Sequence, residues 1–156
     1  MKNVFFWTLA LAAIALLLYM NFFKSSGSTE TPEIIFTPFA PKPIGPYSQA
    51  VSRGNAVFVS GQIALDPESG RMDTAHIEIE TERVLKNIAA ILEAVQLKMT
   101  DVVKATVYVT SLEHFAGINN IYGKYFLVNP PARETVQVVA LPKGAHVEIS
   151  VVAIKK

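Results

Sequence analysis

Arg133 is the side chain whose type and position best suit the binding of a small acid. It follows the sequence Pro-Pro-Ala at the expected start of a strand, where proline restricts the backbone and so helps to hold the guanidinium in place. A guanidinium held in this way binds a carboxylate through two parallel hydrogen bonds. The alternative is a solvent-exposed arginine at a strand end, which is the commoner situation for this residue type.

Glu148 is the second candidate, because it lies inside an otherwise aliphatic strand segment between Val147 and Ile149. A carboxylate in such a segment either faces solvent, which is the simpler expectation, or lines a site. Partial burial would raise its pKa by disfavouring the charged form, and the group would then be able to transfer protons. Glu148 is therefore a candidate acid or base.

Three further residues occupy positions at which a pocket wall is expected. Tyr47 follows Ile-Gly-Pro, a turn sequence, so its ring either covers a pocket or packs against the domain. Ser60 and Gly61 end a predicted strand, and the glycine there permits the close approach of a ligand or forms only a bulge.

Composition excludes several other kinds of site. The chain has no cysteine, and its histidines (His76, His114 and His146) lack metal-ligand spacing, so no zinc site is expected. No phosphate-binding or dinucleotide-binding glycine motif is present. Lys2 and Lys24 are two of the 14 basic residues, so residues 25–156 carry 12 basic residues against 13 acidic ones. A near-neutral domain without a basic surface is not expected to bind nucleic acid.

The hydrophobic pattern predicts an α+β domain with the order β-β-α-β-α-β-β. A sheet with two helices on one face fits this order and leaves the other face open. Because part of that face is apolar, self-association is expected. The predicted strands are 47–53, 56–61, 101–110, 134–141 and 146–154, and the predicted helices are 76–97 and 112–126.

The first 24 residues predict a single-pass membrane anchor. Residues 3–23 contain no charged side chain, and the twenty residues 4–23 would span about 30 Å as a helix. A cleaved signal peptide is the alternative, although its apolar region is usually only about 7–15 residues long. The charge distribution slightly favours a domain outside the cytoplasm. The predicted organisation is an anchor at 1–24, a linker at 25–43 and a domain at 44–156.

Five short motifs in this chain closely resemble those of the reactive intermediate deaminase family (RidA/YjgF). The resemblance extends over about residues 39–154 and implies a chorismate-mutase-like fold and a homotrimer with sites between subunits. It also implies hydrolysis of enamines and imines such as 2-aminoacrylate and 2-iminopropanoate, without a cofactor, to a 2-oxo acid and ammonia. The motifs are IGPYSQAV at 44–51, VFVSGQI at 57–63, PAR at 131–133, LPK at 141–143 and VEI at 147–149.

The resemblance also implies roles for particular residues. Arg133 matches the arginine that binds the substrate carboxylate, and Glu148 matches the glutamate that orients or activates water. The residues that match the substrate-binding pocket are Tyr47, Ser60, Gly61 and Asn119.

Departures from the family pattern leave other functions open. Ala140 stands where many members have arginine, and Ser150 stands where many have glutamate. Thr135 stands where some members have cysteine or alanine. These changes affect the expected substrate range. The alternatives to a deaminase are a trimeric carboxylate-binding module without catalysis and an endoribonuclease.

Overall fold

The computed structural model describes residue 11, residues 13–20 and residues 31–155. The chain divides into two units, Met1–Thr31 and Pro32–Lys156. In the first unit, the described residues 11 and 13–20 are helical. The second unit contains the sheet and all the predicted site residues.

The predicted membrane anchor at residues 4–23 requires a correction. No helix among the described residues combines the length and the apolar character needed to cross a bilayer. Residues 4–10, 12 and 21–23 lie outside the described residues. This finding overturns the prediction of a single-pass membrane protein with an extracytoplasmic domain.

The second unit has the expected α+β architecture with one strand more than the sequence pattern predicted. Six strands form a mixed sheet in the order β1-β2-β3-β6-β4-β5, in which only β4 and β5 are parallel. The additional strand β1 lies within the segment predicted as a linker. The elements are β1 (Glu33–Ile35), β2 (Ala50–Arg53), β3 (Ala56–Gln62), α1 (Ile77–Glu93), β4 (Val102–Val109), α2 (Phe115–Tyr125), β5 (Ala132–Gln137) and β6 (Val147–Ile154).

The core lies between the helices and one face of the sheet. In β6 every second residue is buried, which is the period of a strand that is covered on one side. In α1 the buried apolar residues recur every three to four positions, as on one face of a helix. Burying each such aliphatic side chain contributes about 1.5–3 kcal/mol. The buried core includes Val84, Leu85, Ile88, Ile91 and Leu92 of α1 with Val147, Ile149, Val151 and Ala153 of β6.

Helix α1 ends at Glu93 and not at residue 97, the predicted end. Gln96 adopts a left-handed conformation with φ of 61°, which turns the chain out of the helix. The Leu97 amide then donates to the Leu92 carbonyl at 3.0 Å. The apolar pattern continues to Leu97 because that side chain is buried although it lies outside the helix.

The opposite face of the sheet is open and carries an apolar row. Cross-strand register aligns Ile34 with Val51, Val51 with Phe58, and Phe58 with Val152. Phe58 is 50% exposed and Ile34 is 71% exposed. An apolar row of this kind on a sheet face favours a protein partner.

Gln49 attaches the segment before β2 to the sheet. Its side chain is buried, and its Oε1 atom accepts a hydrogen bond from the Thr37 amide at 2.7 Å. Its Nε2 atom donates to the carbonyls of Thr37, Ala40 and Pro41 at 2.9–3.1 Å.

Replacing Gln49 by leucine is expected to lower the free energy of unfolding by about 2–4 kcal/mol, because buried backbone groups lose their hydrogen-bond partners. Urea unfolding of the wild type and the variant measures this change. Gln137→Leu is the matched control, because Gln137 is exposed and the hydrogen bond that its side chain accepts from the Leu112 amide is also exposed. Equal effects of the two substitutions would contradict the prediction.

Candidate functional site

The six predicted site residues line two separate cavities. The first, here called the Glu148 cavity, has a volume of about 320 Å³. The second, the Arg133 cavity, has a volume of about 420 Å³. The Glu148 cavity is lined by Ile44, Tyr47, Ser60, Gly61, Ile63, Pro142 and Glu148, and the Arg133 cavity by Asn119, Tyr122, Gly123, Phe126, Pro130, Pro131 and Arg133.

Glu148 fits over a glycine of the neighbouring strand. A Cβ atom built on Gly61 would overlap Oε1 of Glu148 and would lie 2.7 Å from its Cδ atom. The β3–β6 ladder is irregular between Val59 and Gln62, which is where the carboxylate lies against β3. Only glycine at position 61 leaves room for the observed carboxylate position, as is common where another group closely approaches a strand backbone.

Burial changes the acidity of this carboxylate. Glu148 is partly buried, and removal from water raises the pKa of its carboxyl group above the ordinary value of 4.5. On β4, Tyr108 is its cross-strand neighbour. A carboxyl group of raised pKa is better able to exchange protons near neutral pH than an exposed one.

Hydrogen bonds connect the other residues of the Glu148 cavity. The Ser60 hydroxyl donates to the Ser48 carbonyl at 2.7 Å, and the Ser60 amide donates to the Gln49 carbonyl at 3.0 Å. The Tyr47 hydroxyl accepts a hydrogen bond from the Ile44 amide at 3.2 Å, within its own turn. These contacts fix the segment that carries Tyr47 beside the end of β3.

Arg133 is held against aromatic rings of α2. Its guanidinium carbon lies 4.6 Å from the ring centroid of Tyr122 and 5.8 Å from that of Phe115. Such cation–π contacts orient the planar guanidinium. Within the described part of the chain, no carboxylate forms an ion pair with Arg133. The guanidinium therefore has a defined orientation and can bind an external anion.

Tyr122 lies beneath this guanidinium. Burial raises the pKa of Tyr122 to about 12, and the nearby charge of Arg133 only partly opposes this shift. Its hydroxyl is buried and has no hydrogen-bond partner among the described residues. Tyr122 therefore stays neutral at physiological pH and presents an uncharged ring to Arg133.

One chain does not bring Arg133 and Glu148 together. Arg133 is aligned with Ala105, which is aligned with Val151, and both of these residues are buried beneath the helices. Glu148 lies three positions before Val151 in the same strand, so the two side chains point to opposite faces. Arg133 thus belongs to the helix-covered side of the sheet and Glu148 to its open side.

The sequence pattern does not identify Phe115 and Tyr122 as neighbours of Arg133. The spacing of aromatic residues in 112–126 indicated a helix face, and such a face is more often a packing surface than part of a site. The contact with Arg133 depends on how α2 packs against β5, which helical spacing alone does not specify. Ile44, Ile63 and Pro142 were likewise not singled out as lining residues.

Comparison with known proteins identifies the family. The family model described as Endoribonuclease L-PSP matches residues 37–155. A RutC family protein of Pyrococcus abyssi is 49% identical over 124 residues, which are 80% of this chain and 98% of the relative. The human 2-iminobutanoate/2-iminopropanoate deaminase is 45% identical over 122 residues, which are 78% of this chain and 89% of the relative.

A solved structure agrees with these relatives. The structure of Escherichia coli TdcF with bound serine superposes with a TM-score of 0.77 at 39% identity. The superposition covers 80% of this chain and 99% of TdcF. With a family model matching most of its length and relatives at this level of identity, the chain belongs to the RidA/YjgF family, whose model is described as Endoribonuclease L-PSP.

Proposed function

We propose that this protein is a hydrolytic deaminase of small reactive imino acids and their enamine tautomers, such as 2-iminopropanoate and 2-aminoacrylate. The observation that carries the proposal is the presence of an oriented guanidinium and a partly buried carboxylate of raised pKa. The activity named for the human relative and the amino acid bound to TdcF support this substrate class.

The proposed chemistry assigns different tasks to the two groups. Arg133 binds the substrate carboxylate through paired hydrogen bonds and so positions the imine carbon. Glu148 holds a water molecule and accepts its proton as the oxygen attacks that carbon. The proton is then passed to the nitrogen, which gives a carbinolamine. Glu148 next transfers the hydroxyl proton of this intermediate to the same nitrogen, and the carbon–nitrogen bond breaks as the 2-oxo group forms and ammonia leaves. Imine and water give a 2-oxo acid and ammonia, so the reaction balances without a cofactor.

We propose that the complete site forms between two copies of the chain in a homotrimer. Arg133 and Asn119 of one copy would face Glu148, Tyr47 and Gly61 of its neighbour. The positions of Arg133 and Glu148 on opposite faces of the sheet support this arrangement, because a single chain separates them. The apolar row on the open face supplies a surface that another copy would bury.

Hydrolysis of a freshly generated imino acid by the purified full chain tests the function. An amino-acid oxidase produces the imine, and semicarbazide traps the fraction that has not been hydrolysed. The expected result is a faster loss of trapped imine when the protein is present. No acceleration with several imino acids, from protein shown to be trimeric, would contradict the proposal.

A carboxylate-binding module without catalysis is the second candidate. Ala140 and Ser150, which stand where many members of the family have arginine and glutamate, motivate this alternative, although Arg133 and Glu148 are both retained. It predicts binding of 2-oxo acids in calorimetry without accelerated hydrolysis. The description of the family model also names endoribonuclease activity, against which the near-neutral charge of residues 25–156 argues.

Replacing Gly61 by alanine is expected to lower kcat for imine hydrolysis by about 100-fold, because a displacement of roughly 1 Å at a reacting group has effects of this size. The added methyl group would displace the Glu148 carboxylate, while Arg133 would still bind the substrate, so KM should change little. Steady-state kinetics measure both constants. Gly70→Asn is the control, because asparagine tolerates the positive φ of Gly70 and its site is open. An unchanged kcat for Gly61→Ala would contradict the assignment of Glu148.

Removing the Glu148 charge is expected to change how stability depends on pH. Because burial raises the pKa of Glu148 in the folded state, its stabilising contribution is complete below about pH 4.5 and is lost as the pH rises through the folded pKa. The Tm of Glu148→Gln should therefore rise relative to the wild type from pH 4 to pH 8.

Glu134→Gln is the matched control, with the opposite expected sign. Hydrogen bonds from Lys104 and Thr106 hold the pKa of Glu134 below its ordinary value. The contribution of Glu134 to stability is therefore present above the unfolded pKa and is lost as the pH falls. At high pH this variant should have a lower Tm than the wild type. A Tm difference for Glu148→Gln that does not vary with pH would contradict the prediction.

A further inference from the structure

Glu80 is a buried carboxylate that the proposed mechanism does not use. It lies on α1 and has no exposed surface. Its Oε1 atom accepts hydrogen bonds from the His146 amide at 2.7 Å and the Val147 amide at 3.3 Å. Its Oε2 atom lies 3.0 Å from Nδ1 of His146. A buried carboxylate is costly unless it is well paired, and these contacts of Glu80 are all with the beginning of β6.

The beginning of β6 directly precedes Glu148, and it pairs less completely with β3 than with β4. The β3–β6 ladder is interrupted between Val59 and Gln62, whereas β4 pairs regularly with residues 147–152. Before β6 the chain passes through a tight turn in which Lys143 and Gly144 both have positive φ values, 55° and 73°. Glu80 therefore holds the point at which the chain leaves this turn and enters the strand.

We propose that Glu80 is a positioning residue, which fixes the beginning of β6 and thereby places the Glu148 carboxylate over Gly61. The fit at Gly61 leaves little room, since even one added methyl group would overlap Glu148. A small displacement of residues 146–147 would therefore move the carboxylate relative to the substrate. This proposal rests on the deaminase function proposed above.

The shortened variant Glu80→Asp tests the proposal while it keeps a carboxylate on α1. Its oxygens are withdrawn by one methylene group from the amides of residues 146 and 147. The expected result is a fall in kcat of about tenfold with KM changed less than twofold, because Arg133 still binds the substrate. Glu80→Gln should restore most of kcat, since its amide oxygen accepts the same two backbone hydrogen bonds.

Leu92→Ala is the control for loss of stability alone. Leu92 is buried on α1 about three turns from Glu80, so its truncation destabilises the domain through the core. At a temperature where both variants are folded, Leu92→Ala should keep the wild-type kcat. The proposal is overturned if Glu80→Asp keeps wild-type kcat, if its kcat falls no further than that of Leu92→Ala, or if Glu80→Gln fails to restore activity.

A second readout separates this proposal from the deaminase assignment. The carboxyl carbon of Glu148 is followed by ¹³C NMR titration and is assigned with Glu148→Gln. The titratable neighbours of Glu148 are Tyr47 and Tyr108. His146 faces Glu80, and the His146 ring lies 5.7 Å from the His114 ring. The titration midpoint should move in Glu80→Asp and stay unchanged in Leu92→Ala. An inactive wild type would refute the deaminase function, whereas an unmoved midpoint would refute the positioning role.

Discussion

Replacing Arg133 by alanine is expected to lower kcat/KM for an imino acid by about 30-fold or more, since truncating one member of a hydrogen-bonded charge pair costs about 2–5 kcal/mol. The Tyr122 and Phe115 rings orient the guanidinium in the present geometry. Arg133→Lys should recover only part of the loss, because an ammonium group keeps the charge but not the planar pair of donors.

The imine-trapping assay with two kinds of substrate gives this prediction its specificity. An imine that lacks a carboxylate should be hydrolysed equally by wild type and by Arg133→Ala, because the arginine then has no anion to bind. Lys124→Ala provides a matched loss of positive charge from an exposed position on α2. Full activity of Arg133→Ala toward imino acids would show that Arg133 does not bind the substrate, and it would contradict the proposed function.

Mixing Arg133→Ala chains with Glu148→Gln chains is expected to restore activity that neither variant has alone. If each site takes Arg133 from one copy and Glu148 from its neighbour, random assembly of equal amounts leaves both groups in roughly a quarter of all sites, and in roughly a third of the sites of mixed trimers. A site formed within one chain would gain nothing from mixing, since every chain then lacks one group.

The mixing experiment requires evidence that the chains have exchanged. The two variants are refolded together, and differently tagged copies are purified in sequence so that only mixed assemblies are assayed. Each variant refolded alone is the control. Mixed trimers without activity, alongside active wild-type trimers treated in the same way, would show that the two groups do not meet between copies.

The local patterns in the sequence were sufficient to predict most of the elements of the second unit. The alternation of apolar and polar residues predicted β4 and β6 nearly to their ends, because one face of each strand is buried. The pattern failed at β1, a three-residue strand at the sheet edge that is too short to show a period. It also extended α1 past Glu93, since Leu97 is buried without being helical.

The predicted anchor at residues 4–23 illustrates a different limit. A run of apolar residues specifies only that the segment avoids water, and hydropathy summed along the chain does not establish a continuous helix. Among the described residues, no helix has the length and the apolar character that crossing a bilayer requires. The location drawn from that run was therefore wrong.

Short motifs and hydrophobic periodicity were enough to identify the family, the α+β order of the second unit and the residue types of the candidate site, because both are local properties of the chain. The folded chain was needed to show that Arg133 and Glu148 lie on opposite faces, that Gly61 makes room for Glu148, and that Glu80 hydrogen-bonds to the beginning of β6. These relations join residues that are distant in sequence, such as Glu80 and His146. They depend on strand register and on helix packing against the sheet, which no local pattern encodes.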